Sequence, residues 1–223
     1  KSYNEQLTAL RVSGNLRHLP EVEHQGIWIL KEGMRMLNLS SNDYLWIKPA
    51  GRIYKGVQAS TQDRFYPYSS SSSRLLTGNF SVYTKLEKQI ARSFDREAAL
   101  IFNSGYHANT GILPALADKQ TLLLADKLVH ASIIDGILLE WFPILRYRHN
   151  DYEQLERFVT KERLQYETII ILTESIFSMD GDVADLNRLI AIKRQYPNIL
   201  LYVDEAHAIG AVEDGARYRR GTK

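Results

Sequence analysis

Cysteine is absent from the 223 residues, which removes a disulfide framework and any thiolate chemistry. No apolar run approaches the roughly 20 residues that a transmembrane helix needs, and the N-terminus lacks the apolar core of a signal peptide. An excess of charge of one sign is also missing. The formal net charge is +2, and the basic residues are scattered apart from Arg217, Arg219, Arg220 and Lys223 at the end. Nothing in that balance argues for nucleic acid or an acidic membrane. No GxxxxGK[ST] phosphate loop occurs and no GxGxxG dinucleotide fingerprint. The expectation is a soluble, cytoplasmic protein with neither a nucleic-acid nor a membrane partner. What is present suffices for a substantial core: 44% of residues are hydrophobic and 24% charged, which fits one or two globular domains.

The most informative stretch is Leu200 to His207, followed by Ala208-Ile209-Gly210. An apolar run ending abruptly in Asp204, Glu205 and His207 reads as a buried parallel strand that delivers polar groups at its carboxyl end, where open α/β sheets bind ligands. The plainer reading is a strand followed by a solvated acidic turn. Its neighbours decide between the two.

In chain order, Leu7, Leu10 and Leu16 have the spacing of a short amphipathic helix over Glu5 to Leu16, broken by Gly14 and stopped before Pro20. Ile27 to Leu30 and Met34 to Leu39 read as a hairpin around Lys31-Glu32-Gly33. Ser40 to Leu45 is a polar turn closing on two large side chains. Five consecutive serines, Ser69 to Ser73, would by composition be a linker. Leu75, Leu76, Phe80, Tyr83 and Leu86 nevertheless lead into a helix to about Arg92.

Strand and helix then alternate. Ala98 to Phe102 is a predicted strand, Asn103 to Tyr106 a turn, and His107 to Leu116 a helix whose N-terminal N–H groups suit a phosphate. Gln120 to Ala125 is a strand ending in Asp126, and His130-Ala131-Ser132 opens the next helix. Leu145 to Tyr147 is a short strand, with Asn150 or Asp151 capping a helix through Phe158. Thr168 to Leu172 is a β-branched strand, and a helix from about Asp185 to Tyr196 returns the chain to Leu200. This order predicts right-handed βαβ crossovers and an α/β fold with a mainly parallel sheet covered by helices on both faces. Ser104, Gly105, His130, Glu174, Ser178, Asp204 and His207 all fall just beyond carboxyl ends of predicted strands. A metal site from His130, Asp204 and His207 is a minor alternative, since the set lacks HExxH-like spacing. A Walker B reading of Val203 to His207 would require the phosphate loop that is absent.

Several motifs in this order resemble the α-oxoamine synthases, pyridoxal-phosphate enzymes of the aspartate-aminotransferase fold. They are Ser41 to Leu45, Arg74 to Gly78, Asn103 to Asn109, Arg148 to Asp151, Thr173 to Asp182 and Val203 to Gly210. The resemblance implies that Asp204 pairs with the pyridine nitrogen of pyridoxal 5'-phosphate and that His130 stacks on its ring. It also implies that His207 and Ser178 bond near the phenolic oxygen, and that Ser104, Gly105 and Tyr106 hold the phosphate. His130, Asp204 and His207 are then the catalytic candidates, and Arg17 the candidate for the substrate carboxylate. Plainer roles remain for His130 as a helix cap, Ser178 as a turn residue and Glu174 as a support. The implied reaction is a decarboxylating condensation of an L-amino acid, L-alanine by the Ser40 to Leu45 turn, with a pimeloyl or other acyl thioester on CoA or acyl carrier protein. Glycine acetyltransferases, 5-aminolevulinate synthases and autoinducer synthases share much of the pattern, and a non-catalytic cofactor-binding fragment is the reading from another class. A homodimer is implied, with the serine-rich segment facing the neighbouring subunit's cofactor.

Two departures stand out. Serines replace the glycines usual before Arg74, and Leu45-Trp46 replaces the usual Leu-Gly. The resemblance divides the chain into an N-terminal arm, 1–47, and a cofactor-binding large domain, 48–223, without the small C-terminal domain. The family's cofactor-bonding lysine lies beyond a further strand. Lys223 follows His207 too closely to be that residue, so the expectation is the N-terminal part of a longer enzyme that cannot turn over alone.

Overall fold

Side chains along Thr168–Glu174 alternate between two helical layers, and that alternation organises the larger part of the molecule. The computed structural model describes residues 3–17, 19–44 and 69–212. The expectations for Leu45-Trp46, for the residues just before Ser69 and for the basic end at 217–223 fall outside these. The chain divides into two compact units, Lys1–Trp46 and Ile47–Lys223.

In the first unit, helix α1 (Tyr3–Val12) is followed by strands β1 (Glu23–Gln25), β2 (Trp28–Lys31) and β3 (Met34–Leu37), an antiparallel sheet in that order. The β2–β3 loop places Glu32 and Gly33 at φ 50° and 78°, the doubly left-handed geometry that matches the twist of a two-residue hairpin. Gly14, at φ 71°, ends α1 as its spacing suggested. Strand β1 went unpredicted because Glu23-His24-Gln25 carries neither β-branching nor apolar alternation.

Among the described residues of the second unit, the first helices are α2 (Ser81–Ser93) and α3 (Gly105–Leu116). The unit then alternates through β4 (Thr121–Asp126), α4 (Ala131–Leu138), β5 (Ile144–Tyr147), α5 (Tyr152–Glu162), β6 (Thr168–Glu174), α6 (Leu186–Gln195) and β7 (Ile199–Asp204). The four strands are parallel in the order β5-β4-β6-β7. Leu122, Leu124, Ile169 and Ile171 pack with Leu155 and Val159 of α5 and Leu189 and Ile192 of α6. Leu123, Ala125, Ile170 and Leu172 pack on the other face with Leu113 of α3 and Ile133 and Ile137 of α4. A period of two on the strands and 3.6 on the helices thus makes two cores from one sheet. Asp151 and Asp185 cap α5 and α6 by accepting from the N–H groups of Gln154 (2.8 Å) and Arg188 (3.0 Å), as acidic residues at helix starts do.

Two expectations are corrected. Ala98 to Phe102 forms no strand; its backbone is engaged by side chains instead. The Ile101 N–H donates to Glu87 Oε1 at 2.9 Å, and Arg74, paired with Glu87 at 2.8 Å, donates to the Ile101 carbonyl at 3.4 Å. Strand β7 is parallel as predicted, but it is an edge among the described residues and only half-buried, with Leu200 44% exposed.

Candidate active site

Asp204 ends β7 directly opposite Glu174, which ends β6. Tyr202, two residues earlier on the strand, shares the face of Asp204. The Asp204 carboxylate is held on both oxygens: Oδ1 accepts from the Ala206 N–H at 3.0 Å, and Oδ2 accepts from Asn109 Nδ2 at 3.0 Å. Asn109 is buried on α3, so the end of the edge strand is tied to a helix. Asn109 Nδ2 also donates to Ser132 Oγ at 2.9 Å, and its side-chain oxygen Oδ1 accepts from the Tyr202 hydroxyl at 2.5 Å. Burial, then the nearby Asp204 charge, pushes the Tyr202 phenol up to about 12, so it remains a donor.

His130 plays the plainer part foreseen for it and stays within this network. It caps α4, its Nδ1 accepting from the Ser132 N–H at 3.2 Å and lying 2.7 Å from Ser132 Oγ. Glu174 is 4% exposed. Burial raises its pKa above the ordinary carboxylate value, and the Asp204 charge adds to that, against a bond from the His130 backbone.

Ser104 caps α3, its Oγ accepting from the His107 N–H at 3.1 Å. The first-turn N–H groups of Gly105 and Tyr106 have no partners inside the helix. The space beside Gly105 is open: a Cβ there would meet no atom within 4 Å. Asn109 lies four positions after Gly105, about 6 Å along the helix axis. Tyr106 directs its hydroxyl to Asp135 at 3.1 Å, a bond that raises its pKa. His207 is half-buried in the turn after β7. Ser178 is exposed in a turn closed by the Phe177 N–H donating to the Asp182 carbonyl at 2.9 Å. Arg17 is exposed after α1 in the first unit. The structure therefore joins Asp204 and His130 through Asn109 and Ser132, and puts Ser104, Gly105 and Tyr106 at the start of the helix that bears Asn109. Asn109, Ser132 and Tyr202 carry no catalytic motif of their own, although Asn109 closes the Asn103 to Asn109 segment.

A second polar cluster occupies the opposite face of the same sheet end. Asp126 is fully buried. It accepts from the N–H groups of Leu128 and Asn150 at 2.8 and 2.9 Å and lies 3.0 Å from His149 Nδ1. His149 Nε2 lies 3.0 Å from Asp182, and its ring meets Phe177 edge-on at 4.5 Å between centroids. Burial opposes charge on His149, but the bonds to Asp126 and then Asp182 outweigh it and its pKa is raised.

A carboxylate held by two donors can still accept from a cationic ring nitrogen, and an open helix N-terminus suits a phosphate. About one helical turn lies between that N-terminus and Asn109, which holds the carboxylate. The donor set therefore fits a cationic ring that carries a phosphate. Among the described residues no three His, Asp or Glu side chains converge to hold a metal, and no helix is long and apolar enough to cross a membrane.

The comparisons with known proteins agree with this chemistry. A family model described as aminotransferase class I and II matches residues 34–220. A Glaesserella parasuis protein provisionally named 8-amino-7-oxononanoate synthase is 54% identical over 209 residues, covering 93% of this chain and 54% of its own length. A Neisseria meningitidis protein of the same provisional name is 52% identical over 210 residues, covering 94% of this chain and 55% of its own. The chain thus spans about half the length of the curated relatives it matches. Among solved structures, Sphingomonas wittichii serine palmitoyltransferase shares the fold, with a TM-score of 0.75 at 23% identity over 91% of this chain and 50% of that one. The 8-amino-7-oxononanoate synthase of Francisella tularensis gives a TM-score of 0.59 at 29% identity over 74% and 44%.

Proposed function

The chain belongs to the aminotransferase class I and II family, and from that membership we propose that it is the cofactor-binding part of an α-oxoamine synthase. The reaction is a condensation of L-alanine with a pimeloyl thioester that yields 8-amino-7-oxononanoate, carbon dioxide and the free thiol carrier. Pyridoxal 5'-phosphate, when bound, supplies an electron sink for the carbanion at the amino acid's α-carbon.

The rest is the work of this chain's side chains. Asp204 holds the proton on the pyridine nitrogen, because an ionised carboxylate fixed by Asn109 and Ala206 favours a cation beside it. Ser104, Gly105 and Tyr106 take the phosphate at the N-terminus of α3. His130 covers the ring, His207 and Ser178 bond near the phenolic oxygen, and Arg17 takes the substrate carboxylate. The protein acts in the cytoplasm as a homodimer whose subunits each contribute to the site. The observation that carries the reading is the bond to Asp204 from Asn109, which lies on α3, the helix whose start at Gly105 is open. The provisional names of the relatives support the choice of substrates.

The test is the full-length protein incubated with L-alanine and either pimeloyl-CoA or pimeloyl-acyl carrier protein, with product identified by mass spectrometry. Formation of 8-amino-7-oxononanoate from one carrier is expected. Turnover of glycine or L-serine, with alanine inert, would move the protein to another branch of the same synthases.

A further inference from the structure

Hydrogen-bond direction around Asn109 is settled by its neighbours. An ionised carboxylate only accepts, so the group facing Asp204 Oδ2 is the amide nitrogen, and the Tyr202 hydroxyl then donates to the amide oxygen. The second amide hydrogen goes to Ser132 Oγ. That hydroxyl, already accepting, turns its own hydrogen to His130 Nδ1 at 2.7 Å, and the Ser132 N–H, an obligatory donor, points to the same nitrogen. Packing keeps these parts together. Gly136 lies one turn beyond Ser132 on α4, and a Cβ there would come within 2.7 Å of the Asn109 carbonyl oxygen.

We infer that Asn109 is a positioning residue that sets Asp204 and His130 as one unit, orienting the carboxylate directly and, through Ser132, fixing the imidazole with Nδ1 as acceptor and the ring proton on Nε2. Its relevance to catalysis rests on the reading of Asp204 and His130 as cofactor contacts; the coupling itself does not. Exchanging Asp204 for an amide that can present N–H groups frees Asn109 to turn, and the change reaches His130 through the Ser132 hydroxyl.

The experiment is nitrogen NMR of the full-length protein labelled at histidine, stripped of cofactor, with the His130 signal assigned by His130→Gln. Asp204→Asn is expected to move the His130 ring-nitrogen shifts in the wild-type background and to leave them unmoved in the Ser132→Ala and Asn109→Ala backgrounds. If Asn109→Ala fails to fold, Ser132→Ala carries the test, because it removes one hydroxyl and leaves the Asn109–Asp204 bond. In the loaded protein, Asn109→Ala is expected to lower cofactor affinity about 10- to 100-fold, as the loss of a hydrogen bond to a charged group does. Shifts that persist without the Ser132 hydroxyl, or that never appear in the wild-type background, would overturn the inference. A protein that takes up no pyridoxal phosphate would instead overturn the cofactor reading and leave the NMR result standing.

Discussion

Glu174 and Asp204 are registered neighbours at the ends of β6 and β7, so two carboxyl groups share one edge of the sheet, and the buried one, Glu174, has its pKa raised. A carboxyl whose pKa is higher folded than unfolded weakens the fold as pH rises past the unfolded value, about 4.3. The loss is complete above the folded value. Glu174→Gln keeps an acceptor for the His130 N–H and removes the titration. Its stability relative to wild type is expected to be near zero at about pH 4 and to grow towards pH 7, by about 1.4 kcal/mol for each unit of the shift. Urea unfolding across that range checks it, and a difference independent of pH would contradict it.

Asp204→Asn in the full-length protein is expected to retain the fold but to lose on the order of 100-fold or more in kcat/KM. The neutral amide keeps one oxygen to accept from Ala206 or Asn109 where the carboxylate offers two, and it cannot hold the pyridinium proton. Circular dichroism and alanine turnover are the measurements. Undiminished turnover would remove Asp204 from its role.

His149 bridges Asp126, fully buried, and Asp182 in the turn that carries Ser178. Because its folded pKa is raised, the stability it adds is complete below the unfolded value of about 6.5 and is lost as pH rises through the folded one. The gap in melting temperature between wild type and His149→Gln is therefore expected to be wider at about pH 5.5 than at about pH 8.5. A gap that widens with pH would mean that the ring acts as a neutral hydrogen-bonding group.

The order of strands and helices was legible because each element bears its own period: Ile169 to Leu172 could be only a strand buried on both faces, and Asp151 and Asp185 mark their helix starts locally. Ala98 to Phe102 has the same apolar look. Whether it becomes a strand depends on a pairing partner, and among the described residues its backbone is met by Arg74 and Glu87. The sequence offered a candidate site as residues beyond predicted strand ends. The structure bonds Asp204 and His130 of that set into one network and places Ser104, Gly105 and Tyr106 at the start of α3 rather than after a strand. The site's wiring was not legible, since Asn109 meets Tyr202 and Asp204 across 93 and 95 residues, and no local pattern encodes a bond at that separation.

The serine run that departs from the family's glycines leaves a measurable mark. Ser71 sits at φ 51°, where a Cβ crowds the following carbonyl at a cost of about 1–2 kcal/mol, while glycine visits the region freely. Glycine also has more freedom to lose on folding, so Ser71→Gly is expected to stabilise by about 0.5–1 kcal/mol. Chemical denaturation decides this.

Gly136 gives a test in which the sign alone is informative. In an exposed stretch of helix, Gly→Ala stabilises by about 1 kcal/mol, through the entropy that glycine loses. Gly136 is buried on α4, and an added Cβ would stand 2.7 Å from the Asn109 carbonyl oxygen and 3.2 Å from the Thr110 Cα. Both are backbone atoms of α3 and cannot swing away, so the helices must part at an overpacking cost of about 1–3 kcal/mol. Parting them draws Asn109 away from Ser132 and Asp204, which adds the loss of two hydrogen bonds at about 1 kcal/mol each. With the helix increment set against these costs, Gly136→Ala is expected to destabilise by about 2–4 kcal/mol and to weaken cofactor binding in the full-length protein. Gly105→Ala provides the contrast in packing, because a Cβ there meets nothing within 4 Å. If Gly136→Ala were instead stabilising by the ordinary helix increment, α3 and α4 would not be in contact at this point, and the link from Asn109 to Ser132 would lose its support.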